Sequence, residues 1–221
     1  MTIKNTTIRP IIIDTRHEKL NSNIKILENT FHLLKNISTI NVMRPTLYTS
    51  VEFHHQDIEY YKINEIKSIN EYSKFCIKFG NIWKDDAYAL FCQHDGYPIN
   101  INCWDDRFLD YDYIGSPWGT DRPNYKRVGN GGFSLRSAKL LKIVSNIIPL
   151  RDWPEDLMIC DVFGDILQNE YNIKFAPIDL AMKFSYELDI PERVLPLDKS
   201  FGFHDFKSGP TKDKEKYRIN I

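Results

Sequence analysis

The chain has 221 residues, 42% of them apolar and 27% charged, enough apolar material for a packed core and too much for wholesale disorder. Lys and Arg total 29 against 30 Asp and Glu, a net charge of −1, so the basic excess of a nucleic-acid binder is missing and no nucleic-acid partner is expected. No apolar run approaches the ~18 residues of a membrane helix, and Ile11-Ile12-Ile13 is too short for the core of a secretory leader.

In chain order, Ile11 to Ile13 read as a buried strand behind Pro10. Leu20, Ile24, Leu27, Phe31 and Leu34 recur at helical spacing and share one face. Asn41 to Met43 with Leu47 to Thr49, and then Tyr60 to Ile63, suggest further strands, and a helix is expected over 69–80 with Gly80 ending it. Ala87 to Cys92 is the clearest interior strand, apolar throughout as when both sheet faces are covered. Tyr113 to Gly115 leads to a polar, glycine-rich loop over 119–131, and Phe133 to Leu135 is strand again. Ser137 is placed to cap a helix carrying Leu140, Leu141, Val144, Ile147 and Ile148. Pro154 suits the first turn of another, with the stripe Ile159, Val162, Phe163, Ile166 and Leu167. A late strand is expected over Ala181 to Leu188, and a charged loose tail or extended arm over 207–221. This alternation predicts an α/β domain over 1–206 with a mostly parallel sheet flanked by helices. The cysteines Cys76, Cys92, Cys103 and Cys160 form no C-x-x-C pair, so reduced, buried thiols and a cytoplasmic location are expected.

Ligands of such sheets lie beyond the carboxyl ends of strands, which points to Gln93-His94-Asp95-Gly96. There Asp95 either meets a divalent metal or a ligand hydroxyl, or only caps a turn. The three glycines of Val128-Gly129-Asn130-Gly131-Gly132 allow close backbone approach to a ligand or form a tight turn; they fit neither a dinucleotide fingerprint nor a P-loop. Glu155 and Asp156 are an acidic pair at a helix start, suited to general-base work or to complementing the helix dipole. His204, between Phe203 and Asp205, is a ligand or a packing residue. His54-His55 lacks metalloprotease spacing, and no serine-nucleophile elbow is present.

Phe108 to Trp118, containing Ile-Gly-Ser-Pro-Trp, followed by Val-Gly-Asn-Gly-Gly-Phe-Ser-Leu-Arg-Ser to Ser137, resembles a group of glycosyltransferase-like domains. That group was long catalogued as a domain of unknown function in capsule and surface-glycan gene sets. The series continues through Pro154-Glu155-Asp156, Lys174 to Pro177, Ala181 to Glu187 and Phe201 to His204, and is more distantly similar to GT-A folds of the β-1,4-galactosyltransferase type.

The resemblance implies a GT-A-like enzyme that transfers sugar from a nucleotide-sugar donor to a glycan or glycolipid acceptor hydroxyl, with inversion, in surface-polysaccharide or related glycan synthesis. Asp156 is then the general base and Glu155 orients the acceptor. Gln93, His94 and Asp95 stand where such enzymes carry Asp-x-Asp, with Gln93 replacing the first acid. Asp95 and His204 are the implied ligands of Mn²⁺ or Mg²⁺, His204 alternatively touching the diphosphate directly. Asp14, Thr15 and Arg16 fall where the nucleoside is held, and Gly131 and Gly132 beside the donor sugar. Trp118 and Trp153 are candidates to stack on acceptor sugars, Trp104 less so. The rivals are a metal-dependent hydrolase of nucleotide sugars or phosphoesters, and an inactive sugar-nucleotide-binding protein. A peripheral membrane contact by Lys207, Lys212, Lys214, Lys216 and Arg218 stays open, because Asp205, Asp213 and Glu215 dilute their charge.

Overall fold

A computed structural model describes residues 6–83, 86–119, 127–207, 209 and 211–219, with the side chains of 211 and 212 left aside. Within the described residues a seven-stranded sheet comprises β1 (Thr6–Ile13), β2 (Ile40–Val42), β3 (Thr46–Thr49), β4 (Glu59–Lys62), β5 (Tyr88–Cys92), β7 (Tyr113–Ile114) and β8 (Ser134–Ser137). Its order is β4-β3-β1-β5-β8-β7, with β2 also on β1. The pairs among β1 to β5 are parallel, and β8 runs antiparallel to both β5 and β7. A second sheet joins β6 (Gly96–Pro98), β10 (Gly202–His204) and β9 (Ser185–Tyr186) in the order β6-β10-β9.

Alternation along the central strands covers both faces. Ile8, Ile12, Leu47 and Leu90 point into one core with Ile26, Leu27 and Leu34 of helix α1 (Leu20–Leu34). Ile11, Ile13, Tyr48, Ala89 and Phe91 face the other with Cys76 of α2 (Ile69–Lys78), Phe79, and Leu141 of α3 (Ala138–Ile147). Pro10, which has no N–H, falls in the gap between the Ile8–Val42 and Ile11–Thr46 pairings, where the ladder on that side is interrupted. Ser137 caps α3 as expected, its Oγ accepting from the Leu140 N–H at 3.0 Å.

Four expectations are corrected. Gly80 does not end α2 in a left-handed cap; the helix stops at Lys78 and passes into a 3-10 turn, and Gly80 instead lies tight against the Leu141 carbonyl, where a Cβ would overlap. The single helix expected after Pro154 is α4 (Glu155–Leu157), a π turn over Met158–Val162, and α5 (Gly164–Tyr171), leaving Val162 and Ile166 exposed. The first half of the expected late strand, 181–184, belongs to helix α6 (Ile178–Phe184), and only β9 is strand. The tail is not loose: Lys214 in α7 (Thr211–Glu215) is wholly buried, donating to the carbonyls of Glu187, His204 and Asp205 at 2.7–2.9 Å. Tyr97 donates to the Tyr217 carbonyl at 2.7 Å, and Tyr217 and Ile219 pack on the core. The cysteines are free, with Cys76, Cys92 and Cys160 buried. Of the expected loop over 119–131, only 119 and 127–131 are described, and no described helix is long and apolar enough to cross a membrane.

Burial pushes the Lys214 ammonium down to about 8 against the nearby charge of Glu187. Lys214→Met leaves three carbonyls without this donor, and a loss of about 1–3 kcal/mol is expected. Urea denaturation measures it, and limited proteolysis should release the segment after Phe206 before the domain unfolds.

Candidate functional site

Strand order places the site. From β1 the sheet grows through β3 to β4, and β5 then returns to the other side of β1. This reversal opens a crevice at the carboxyl ends of β1 and β5, the position where open α/β sheets receive ligands. A cleft of about 340 Å³ lies there, walled by Ile13 to Arg16 after β1, Gln93 to Asp95 after β5, and Ile66 to Ile69 with Tyr72 at the start of α2. All six candidates from the first and fifth strands thus share one cleft.

Each wall has a local cause. Asp14 is buried and accepts from the Arg16 backbone N–H at 3.0 Å, from Arg16 Nε at 2.9 Å and Nη2 at 2.8 Å, and from Asn23 Nδ2 at 3.1 Å. Burial alone would raise its carboxyl; those hydrogen bonds hold it below the usual range. Thr15 ties this wall to the opposite one, its Oγ1 accepting from the Ile66 N–H at 2.9 Å. Arg16 stays half exposed, its Nη2 3.3 Å from His94 Nδ1. After β5 the chain reverses tightly, with Gln93 and Gly96 exchanging backbone hydrogen bonds of 2.8 and 3.1 Å. Backbone groups close this turn, so the Asp95 carboxylate is not consumed in capping it. Its Oδ1 is buried without a hydrogen-bond partner, 3.3 Å from His94 Nδ1. Burial lowers the His94 imidazole, which the Asp95 charge only partly offsets.

The small sheet brings His204 to the same turn. His204 pairs with Gly96 in the β10–β6 ladder, and the Asp205 N–H donates to the Asp95 carbonyl at 2.8 Å. His204 Nε2 lies 3.4 Å from Gln93 Oε1 and Nδ1 lies 3.1 Å from Glu187 Oε1, while Gln93 Nε2 donates to the Tyr72 hydroxyl at 3.0 Å. Burial opposes a charged His204, but Glu187, with Asp95 and Asp205, outweighs it and leaves the ring above the usual histidine range. Asn130 donates from Nδ2 to the other Glu187 oxygen and accepts from the Gly132 N–H at 3.0 Å, which bends the glycine loop. Asn130 and Asp205 both adopt positive φ, 57° and 58°, flanking this histidine.

Gly131 and Gly132 are required by close approach. A Cβ on Gly132 would overlap the His204 ring, and one on Gly131 would overlap the Glu155 carboxylate. The Gly131 N–H donates to Asp156 Oδ2 at 3.1 Å, while Asp156 Oδ1 accepts from Leu157 N at 2.8 Å. The acidic pair therefore divides. Asp156 is part-buried and reaches the glycine loop, whereas Glu155 is 3% exposed and bound to Arg136 at 3.0 Å. That burial and the Asp156 charge push the Glu155 carboxyl up, opposed by Arg136. Trp118 lays its ring over Gly129 at the loop edge, and Trp153 is 54% exposed beside α4. Trp104 packs edge-on against Phe108 and Phe201. His55 lies elsewhere, 3.1 Å from Glu28. Among the described residues no three His, Cys, Asp or Glu side chains are grouped to hold a metal ion.

Sequence reading missed Glu187, Asn130, Tyr72 and Arg136. Asn130 carried a signal, since Asn before two glycines suits a left-handed turn. Glu187 and Tyr72 carried none, being ordinary residues made important by contacts 17 and 21 positions away.

The fold and site thus define a mixed α/β protein with a ligand cleft at the reversal of its parallel sheet. Residues 55–204, about two thirds of the chain, match the model of a family described as a protein of unknown function (DUF5672), and the chain belongs to that family. No curated protein matches it.

Glu155→Gln is expected to cost about 3–5 kcal/mol by leaving buried Arg136 without its counter-charge, while Asp156→Asn stays within about 1 kcal/mol; paired denaturation curves test this. Gly132→Ala should displace His204 and cost about 1–3 kcal/mol, read as a shifted His204 resonance by NMR together with a lowered melting temperature.

Proposed function

We propose that the protein is a GT-A-like glycosyltransferase that moves a sugar from a nucleotide-sugar donor to a glycan or glycolipid hydroxyl, with inversion, in surface-polysaccharide or related glycan synthesis. The observation that carries this reading is the continuity of three distant stretches. Gln93, which lines the cleft between β1 and β5, meets His204, the His204 ring lies against Gly132, and the neighbouring Gly131 holds Asp156. The cleft falls within the size range of small-ligand sites.

The chemistry follows from these parts. The nucleoside sits between Asp14–Arg16 and the start of α2, with its diphosphate toward Asp95 and His204. The acceptor oxygen attacks the anomeric carbon while Asp156 takes its proton. The bond from that carbon to the phosphate oxygen breaks, and its electron pair leaves with the nucleoside diphosphate. Positive charge at His204 suits that leaving group. One in-line displacement inverts the centre. Glu155 supports the reading as the anchor of Arg136 beneath the glycine loop, in place of the acceptor contact expected for it. Trp153 is the better placed of the two tryptophans to meet an acceptor sugar, because its ring is open to solvent. The reduced thiols accord with a cytoplasmic location.

A thermal-shift panel of UDP-, GDP-, CMP- and dTDP-sugars should identify one stabilising donor. With that donor and an acceptor, Asp156→Asn should lower transfer about 100-fold or more and leave donor affinity within a factor of about 2. An equal loss of donor binding would remove Asp156 from the role of base. Sugar released as fast without acceptor as with it would identify a hydrolase, and binding without turnover a nucleotide-sugar-binding protein.

A further inference from the structure

We infer that the C-terminal segment, residues 211–219, is a strap that lifts separately from the rest of the fold, and that its docking orders the 93–96 turn in the cleft wall. The inference stands apart from the transferase reading and concerns what keeps the cleft in shape.

Little holds the strap down. Among the described residues, no strand pairing includes a residue of 211–219. Helix α7 has five residues, too few to be stable by itself. Within the strap the Tyr217 N–H returns to the Lys214 carbonyl and the Arg218 N–H to the Glu215 carbonyl, each at 3.0 Å. Its attachments include the Lys214 ammonium, the Tyr97 hydroxyl on the Tyr217 carbonyl, the packing of Tyr217 and Ile219, and the Arg218 guanidinium 4.1 Å from the centre of the Phe206 ring. On undocking, the ammonium and its three carbonyls regain water, so this opening costs far less than exposing the apolar core. The chain reaches the strap through Gly209, at φ 61°, where a Cβ would overlap the Glu187 carbonyl oxygen.

What Lys214 grips lies on the way to the cleft. The carbonyls it holds belong to Glu187, His204 and Asp205. Asp205 keeps a left-handed backbone, φ 58°, which a residue other than glycine holds only where its neighbours fix it. Three bonds do so: its N–H on the Asp95 carbonyl, its side chain accepting from the Lys207 N–H, and its carbonyl on Lys214, each at 2.8 Å. The surrounding sheet adds little, with three residues in β6, three in β10 and two in β9. When Lys214 leaves, Asp205 relaxes and its N–H releases Asp95. Gln93, His94 and Asp95, which line the cleft, thereby lose a backbone anchor on the side of the small sheet.

Native-state hydrogen exchange, followed by NMR on the full chain through a series of low urea concentrations, tests this. The Tyr217 and Arg218 amides report the strap, and those of Asp205 and Gly96 the cleft turn. All four are expected to exchange through one opening, with the same shallow urea dependence and about tenfold or more less protection than the amides of β1 and β5. Gly209→Ala, which forces a side chain into the hinge and alters no cleft residue, should raise all four rates by a common factor of about ten. Exchange of Asp205 and Gly96 together with the core overturns the inference, as does exchange of Tyr217 and Arg218 only on global unfolding. A Gly209→Ala protein in which the strap amides accelerate while Asp205 and Gly96 do not also overturns it. Should that variant fail to fold, the wild-type series decides alone.

Discussion

A side chain at position 132 has nowhere to go. The backbone of Gly131 and Gly132 runs through a slot with the Glu155–Arg136 pair on one side and the His204 ring on the other. The slot joins the parts of the molecule that matter for the cleft. Arg136 belongs to the large sheet, His204 to the small one, and Glu155 to the helical region that returns against α2 through Ser73. Two absent Cβ atoms let these elements approach closely enough to share one polar network. Backbone freedom is a secondary benefit here, since the residue with positive φ in the loop is Asn130.

Burying Arg136 would be costly without compensation, and the structure supplies it from several directions. Its guanidinium lies over the Phe91 ring at 4.0 Å and near Tyr113 at 5.3 Å, and it donates to Glu155, Ser134 Oγ and the Gly131 carbonyl. One nitrogen, Nη1, is left without a hydrogen bond. Beneath the small sheet, Phe133 stacks on Phe184 at 4.9 Å and both approach Phe201. These rings form an apolar floor under β10. They pack against its amino end at Gly202, while the His204–Gly96 pairing and the Asp205 N–H on the Asp95 carbonyl fix its carboxyl end at the turn after β5. The C-terminal segment completes the enclosure with one ammonium on three carbonyls.

Periodicity made much of the framework legible. The runs at β1 and β5, the amphipathic stripe of α1 and the cap at Ser137 were read where they occur, because each is a local pattern of side chains that must face a core. The π turn after Asp156 was not legible, since apolar spacing at 159, 162 and 166 reads as continuous helix until neighbouring packing widens a turn. Residues 181–184, the end of α6, were read as part of a strand over 181–188 because a short apolar run serves either state. The tail looked solvated by its charge, and nothing local announces that Lys214 will find three carbonyls.

Of the cleft, the sequence alone determined which residue types stand at the strand ends: Asp14 to Arg16 after one buried run, Gln93 to Asp95 after another, and a glycine pair ahead of an acidic pair. Strand lengths and apolar patterns set those positions. Tertiary structure decided the division of labour. It set Glu155 against Arg136 and left Asp156 at the loop, recruited Glu187 to His204, and buried one oxygen of Asp95 beside His94 without a hydrogen bond. Those outcomes depend on which groups lose water together and which partner each then finds, and that is settled only when elements far apart in the chain are packed side by side.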